Sequence, residues 1–117
     1  MARIVLVALA VLLAGATAAA AARPRLTVRP ALAAPRAAVV VSGNAGSCPV
    51  GDTVTAISQA FPGHAFGAAG TLSGRVRAGH AFSFGGYLRR ALKPGRYAVT
   101  ARCGGGNLGV VAHVRVR

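Results

Sequence analysis

Residues 96–117 read RYAVTARCGGGNLGVVAHVRVR, and this stretch contains two runs in which apolar and polar side chains alternate. In Arg96–Cys103 the expected inward positions are Tyr97, Val99, Ala101 and Cys103, and the outward positions are Arg96, Thr100 and Arg102. In Gly109–Arg117 the expected inward positions are Val110, Ala112, Val114 and Val116, and the outward positions are Val111, His113, Arg115 and Arg117. A period of two residues is typical of a half-buried strand. The glycines between the runs therefore predict a β-hairpin.

The sequence before this hairpin consists of further short strands separated by glycine and proline. The predicted strands are Leu26–Val28, Ala37–Ser42, Thr53–Ser58, Thr71–Arg77 and His80–Phe84, and Ala31–Pro35 is a proline-bounded edge or link. Turn signals such as Gly43-Asn44 and Lys93-Pro94-Gly95 separate the strands. About seven strands at this spacing, without a helical period, predict one all-β domain that forms an antiparallel β-sandwich over residues 23–117.

The composition excludes several classes of protein. The 117 residues include 14 Lys or Arg but only one acidic residue, Asp52, and the formal net charge is +13. Enzymes with paired catalytic carboxylates and EF-hand calcium sites need more than one acid. Zinc proteases with the H-E-x-x-H motif need a glutamate, which this chain lacks. Alanine fills many of the inward positions, which predicts a thin core whose bulk comes from four Phe and two Tyr.

Residues 1–22 have the pattern of a secretory signal peptide. Arg3 precedes the apolar run Ile4–Ala14, and the alanines that follow, up to Ala22, offer A-x-A cleavage sites. The alternative is an uncleaved signal anchor, because no charge interrupts the chain from Ile4 to Ala22. We expect cleavage, a secreted or cell-envelope-associated domain, and no transmembrane segment after cleavage.

The two cysteines, Cys48 and Cys103, are expected to form a disulfide. Export takes the chain into an oxidising compartment, where two cysteines in a small domain are most simply bridged. The bridge would close a loop of about 56 residues, and the chain-entropy model assigns such a bridge about 4 kcal/mol of stabilisation. A domain of this size has a total stability of only about 5 to 10 kcal/mol. The alternative is two separate buried thiols.

Several motifs carry a resemblance to a known family. In chain order these are LTVRPALAAP at 26–35, AAVVVSG at 37–43, SCPVGDTVT at 47–55, FSF at 82–84 and LKPGRYAVTARC at 92–103. From Leu26 to Val116 the chain resembles bacterial secreted immunoglobulin-like domains of actinobacterial type, and CGGGNLGV resembles an uncharacterised subgroup of them. The resemblance implies an immunoglobulin-like sandwich. The chain departs from antibody domains because it has no Trp, and Cys48 directly precedes a Pro-Gly turn.

Catalytic and metal chemistry find little support in the sequence. His64, His80 and His113 could each serve a serine with Asp52 as orienter, but the G-x-S-x-G motif is missing. A zinc site needs three or four His or Cys ligands, and only three scattered histidines remain once both cysteines are bridged. We therefore predict a protein that is not an enzyme, with no catalytic residues, no metal and no cofactor.

The glycine loop before the last strand is a candidate ligand loop. Its residues are Gly104, Gly105, Gly106 and Asn107. Phosphate-binding glycine loops open a helix, whereas this loop joins two strands, so a hairpin turn with positive φ is the simpler interpretation. A bridge at Cys103 would stiffen the loop for binding.

Arginine side chains on outward positions form the most evident physical signal. The candidate anion-binding residues are Arg96, Arg102, Arg115 and Arg117 on the outward face of the last two strands, with Arg75 and Arg77 as a second outward pair; a further cluster is Arg89, Arg90 and Lys93. Arginine forks with almost no compensating acid attract polyanions, in a salt-sensitive and unselective way. The alternative is that a GC-rich genome has enriched arginine. Because aromatic residues do not interleave with the arginines, no specific nucleic acid is expected.

These observations lead to three functional hypotheses. The first is a secreted, non-enzymatic binding or structural module that associates with anionic cell-envelope or extracellular polymers through its Arg-rich face. The second is a small-ligand or protein-recognition domain that uses the disulfide-linked loops near Cys48 and Cys103. The third is a cationic antimicrobial effector.

Overall fold

The computed structural model describes residues 23–117, so the signal peptide predicted for residues 1–22 lies outside the described residues. The described chain is almost entirely β-structure. Its eight strands are β1 (Arg25–Arg29), β2 (Leu32–Ala33), β3 (Ala38–Asn44), β4 (Thr53–Ser58), β5 (Gly70–Arg75), β6 (Ala81–Tyr87), β7 (Gly95–Cys103) and β8 (Gly106–Val116). A single 3-10 turn, Ala78–His80, precedes β6. The all-β prediction is confirmed.

The strands form two sheets. One has three antiparallel strands in the order β1-β3-β6, and the other has five in the order β2-β8-β7-β4-β5 and curls into a half-barrel. The prediction of about seven antiparallel strands is corrected, because there are eight and β2 runs parallel to β8. Pro30 and Pro35, which lack an N–H, bound the two-residue strand β2 and confine it to the sheet edge. The carbonyls of Ala31 and Ala33 accept hydrogen bonds from the amides of Arg115 in β8 and of Arg117 just after it.

The core lies between the two sheets and consists mainly of valine and alanine. Fully buried members include Val39, Val41, Val54, Ala56, Val99, Ala101 and Val114. Phe61 and Phe82 are the largest fully buried side chains, and the Phe82 ring stacks on Phe84 with centroids 5.8 Å apart. The inward and outward positions predicted for β7 and β8 are confirmed by the alternation of burial along both strands. Most inward residues are small, which agrees with the thin core predicted from the sequence.

Two glycines allow the sheets to approach each other where β5 meets β6. A Cβ built on Gly74 would lie 2.6 Å from the ring of Phe84, and one on Gly86 would collide with the side chain of Leu72. Strand β6 was expected to stop at Phe84, but it runs on to Tyr87. Gly85 and Gly86 continue the strand because they pair with Val40 and Val39 of β3, and position 86 needs glycine because a side chain there would meet Leu72 of β5.

Cys48 and Cys103 form the predicted disulfide, with a Cα–Cα distance of 6.1 Å. The bridge joins the loop after β3 to the last residue of β7. The side chain of Asn44 orders the same loop, since its Nδ2 donates to the Gly79 carbonyl and its Oδ1 accepts from the Gly46 amide. We call this part of the molecule, with loops 45–52 and 76–80 and turn 104–105, the disulfide end. Loops 30–37, 59–69 and 88–94 lie at the far end.

Among residues 23–117, no helix has the length and apolar character needed to cross a membrane.

Candidate functional site

The outward side of strands β7 and β8 carries four arginines and one histidine, which together we call the cationic face. Its residues are Arg96, Arg102, His113, Arg115 and Arg117. Arg96 and Arg115 are direct cross-strand partners. His113 lies next to this pair, and its Nδ1 accepts a hydrogen bond of 3.3 Å from Nη2 of Arg96. The antiparallel pairing of the two strands thus places cations that are far apart in sequence side by side.

This face has no compensating acidic side chain. The chain's single acidic residue, Asp52, lies at the disulfide end, with Oδ2 4.0 Å from Sγ of Cys103. Arg96 and Arg115 occupy the opposite end of the β7–β8 hairpin. Like charges directly opposite each other on a sheet repel, so an anion bound between them would relieve this repulsion.

A shallow cavity runs between the cationic face and the edge strand β2. Its volume is about 340 Å³, and Ala31, Leu32, Arg96, His113 and Arg115 line it. The Leu32 side chain is 48% exposed. The cations therefore border an apolar floor that could contact the uncharged part of a bound polymer.

Arg102 has a different environment from the other members of the face. It is half-buried, and its Cζ lies 5.7 Å from the ring centroid of Phe66. Phe66 belongs to the β4–β5 loop and is itself 46% exposed. A cation–π contact of this kind holds the guanidinium against the ring. Arg102 is therefore less free to meet an incoming anion than Arg96 or Arg115.

Arg75 and Arg77 do not join the cationic face. Arg75 ends β5, which is separated from β7 by β4, and its Nη1 donates to the Gly51 carbonyl at 3.3 Å. Arg77 follows β5 and is exposed next to the 3-10 turn. The six arginines chosen from the sequence thus form a group on β7–β8 and a separate pair at the disulfide end.

The glycine loop is shorter than predicted. Only Gly104 and Gly105 form the turn, because Gly106 pairs with Cys103 and already belongs to β8, together with Asn107. Gly104 has a φ of 58°, a conformation that favours glycine. A cavity of about 350 Å³ lies beside this turn, between the residues of the disulfide and Asn107.

The histidines lie in three separate places. His64 is exposed in the β4–β5 loop, His80 donates from Nδ1 to the Cys48 carbonyl at 2.8 Å, and His113 belongs to the cationic face. The sulfur atoms of Cys48 and Cys103 lie close to a carboxylate oxygen of Asp52. Both sulfurs are bonded to each other, so this group offers no thiolate to a metal ion.

Sequence reasoning missed a groove at the far end, which we call the end groove. It has a volume of about 750 Å³ and is lined chiefly by Arg36, Pro62, Tyr87, Leu88, Arg89 and Arg90. Arg89 and Arg90 were recognised only as part of a cluster with Lys93. Strand β6 extends past its predicted end, so Tyr87 reaches the groove, and Arg36 comes from a distant turn. The run YLRR at 87–90 was the available sequence signal.

No family model and no curated protein matches this chain. Among solved structures, it is similar to the Pseudomonas fluorescens alkylpurine DNA glycosylase AlkC, determined bound to DNA containing an abasic site analogue. The TM-score is 0.54 and the sequence identity 22%, over 80% of this chain and 29% of that chain. This chain therefore spans less than a third of the glycosylase chain. At 22% sequence identity, this similarity concerns the fold and carries no information about activity.

Proposed function

We propose that this protein is a secreted, non-enzymatic, immunoglobulin-like module that associates with anionic cell-envelope or extracellular polymers through its cationic face. The observation that carries the proposal is the direct pairing of Arg96 with Arg115, with His113 beside them. Guanidinium forks bind phosphate and carboxylate groups in a bidentate manner. A polymer that repeats such groups can contact several members of the face at once.

The immunoglobulin-like part of the proposal draws support from Tyr97. Its hydroxyl donates to the carbonyl of Lys93 at 2.7 Å, four residues upstream. The tyrosine corner of immunoglobulin-like domains makes a similar backbone bond at the start of a strand. Tyr97 precedes Cys103 by six residues instead of the two found in antibody domains. The eight strands and the parallel β2–β8 pair are further departures, so the proposal concerns general architecture.

Two parts of the proposal, export and a non-enzymatic role, rest on different observations. The leader pattern in residues 1–22 and the Cys48–Cys103 bridge are both compatible with an oxidising compartment. Asp52 lies beside the disulfide, and His80 bonds to a backbone carbonyl. Asp52 and His80 therefore each have another partner, whereas a general acid–base pair needs the two side chains within hydrogen-bond distance of each other.

The test measures adsorption of the oxidised protein to beads that carry long-chain polyphosphate, at about 0.05 M and about 0.5 M NaCl. The first variant removes three cations of the face: Arg96→Ala, Arg115→Ala and Arg117→Ala. The control removes three exposed cations elsewhere: Arg23→Ala, Arg25→Ala and Arg29→Ala. Both variants lose the same formal charge.

We expect the face variant to bind at least about tenfold more weakly at low salt, and the control to lose much less. The tenfold rise in salt should weaken binding of the unmodified protein by about 100-fold or more, because it acts on each of at least three charge contacts. Equal losses in the two variants would show that only net charge matters. Adsorption that survives the higher salt would contradict an electrostatic face.

A second candidate function is recognition of a small ligand or a protein by the disulfide-linked loops. The observation in its favour is the cavity of about 350 Å³ at the disulfide end, which Cys48, Cys103 and Asn107 help to line. Salt separates the two candidates. Binding to envelope fractions that is independent of salt and sensitive to Asn107→Ala would favour the loops over the face.

A further inference from the structure

The end groove is built where the pairing of β3 and β6 continues past the first residue of β3 and the last residue of β6. The amide of Arg36 donates to the carbonyl of Arg89 at 3.0 Å, so these arginines lie opposite each other. Leu88 is buried in the core, and Tyr87 and Arg89 lie on the outer side of the same strand end. Backbone pairing therefore places two arginines and a tyrosine on one surface.

Arg89 closes one wall of the groove. Its Nη2 donates to the carbonyls of Gly63 and Ala68 at 2.7 and 2.9 Å, and its backbone amide donates to Ala60 at 2.9 Å. Its buried Nε has no hydrogen-bond partner among residues 23–117. The acceptors are neutral carbonyls, so the guanidinium is held in place while its charge stays uncompensated.

The remaining lining combines a ring and apolar surface with two more cations. Tyr87 is 66% exposed, which is unusual for an aromatic residue in a chain with so few of them. Pro62 contributes apolar surface, and Arg36 and Arg90 are exposed at the rim. The groove is wide open to solvent, so a small ligand would lie along it and stay partly exposed.

The charge of the groove selects the ligand class. Three guanidiniums line it, and the chain's only acidic side chain lies at the disulfide end. A phosphate monoester carries between one and two negative charges at neutral pH, whereas a carboxylate carries only one. Aromatic side chains and guanidinium planes stack on planar rings. The lining therefore suits a ligand in which a phosphate group and a planar ring lie close together.

We propose that the end groove binds small aromatic phosphates, of which a nucleoside monophosphate is the representative. Arg36 and Arg90 contact the phosphate, Arg89 contributes a fixed positive charge, and the Tyr87 ring stacks on the base. The groove shares no residue with the cationic face, so this inference does not rest on the proposed function. The ligand could be a free nucleotide or the phosphorylated end of a nucleic acid strand.

The test is calorimetric titration of the oxidised protein with four probes: AMP, ribose 5-phosphate, adenosine, and a short single-stranded oligonucleotide with a 5′-phosphate. We expect AMP to bind at least about tenfold more tightly than ribose 5-phosphate, which lacks the ring, and than adenosine, which lacks the charge. AMP binding comparable to the oligonucleotide indicates a free nucleotide. In the triple variant of the cationic face, tighter binding of this oligonucleotide than of the same strand without its 5′-phosphate indicates a strand end. Equal affinities for AMP and ribose 5-phosphate would overturn the proposal.

Variants assign the binding to the groove. Tyr87→Ala should abolish the preference for AMP over ribose 5-phosphate, and Tyr87→Phe should retain it. The double variant Arg36→Asn/Arg90→Gln should weaken AMP binding at least about tenfold. Asn is chosen because Arg36 has a φ of 69°, a conformation that Asn tolerates.

The matched control is the double variant Arg25→Gln/Arg77→Gln, which loses the same charge at exposed positions elsewhere. It should bind AMP like the unmodified protein, and so should the triple variant of the cationic face. An AMP affinity that falls equally in the groove and control variants would overturn the assignment. Thermal unfolding of each variant establishes that the protein is folded.

Discussion

Removal of the Cys48–Cys103 bridge by C48A/C103A should lower the free energy of unfolding by about 4 kcal/mol. The two cysteines are 55 residues apart in sequence. In the chain-entropy model, a loop of that length costs about 14 cal/mol/K when it closes, which is about 4 kcal/mol at 25 °C. The whole domain has about 5 to 10 kcal/mol. The bridge thus represents a large share of the total, as expected for a core built mainly from valine and alanine.

Urea unfolding followed by circular dichroism measures this loss. With a slope of about 1 to 2 kcal/mol per M, the midpoint should fall by about 2 to 4 M. The unmodified protein in a strong phosphine reductant is the control, since it keeps both sulfur atoms and loses only the covalent link. If the reduced protein and the alanine variant both unfold within about 1 kcal/mol of the oxidised protein, the core alone suffices and the reasoning is wrong.

Two further substitutions test the packing of the sheets and the support of β7. Gly74→Ala should destabilise the domain by about 1 to 3 kcal/mol, because the new Cβ would lie 2.6 Å from the ring of Phe84. The control Gly105→Ala places its Cβ in open space and should be nearly neutral, and thermal unfolding compares the two variants. Tyr97→Phe removes the hydroxyl that bonds to Lys93 and should cost about 0.5 to 1.5 kcal/mol in urea unfolding, and no measurable loss would contradict a corner-like role.

The all-β fold and the outward arginines of β7 and β8 could be predicted, because apolar residues at every second position indicate which side of a strand faces the core. Arg96 and Arg115 were placed on one face from this pattern alone, and their pairing follows from the hairpin. The extent of β6 could not be predicted. Gly85 and Gly86 are turn signals in sequence, and pairing with Val40 and Val39 of β3 makes them strand residues.

Some positions in the candidate sites could be predicted from local alternation, but which of them lie together depends on the fold. Arg75 and Arg77 share the outward alternation of the other arginines, but the strand order separates them from β7 by β4. Arg36 and Arg89 lie 53 positions apart in sequence, and no local pattern connects them. They meet because β3 and β6 pair antiparallel and the β4–β5 loop accepts hydrogen bonds from Arg89.

The sequence alone determined the strand-rich class of the fold, the excess of positive charge and the pair of cysteines available for a bridge. These properties depend on composition and on the two-residue period, which each strand carries locally. Tertiary structure decided the order of strands in the two sheets, the parallel edge strand β2, and which arginines share a surface. Those outcomes depend on contacts between segments that are distant in sequence, and no local pattern records which segments will meet.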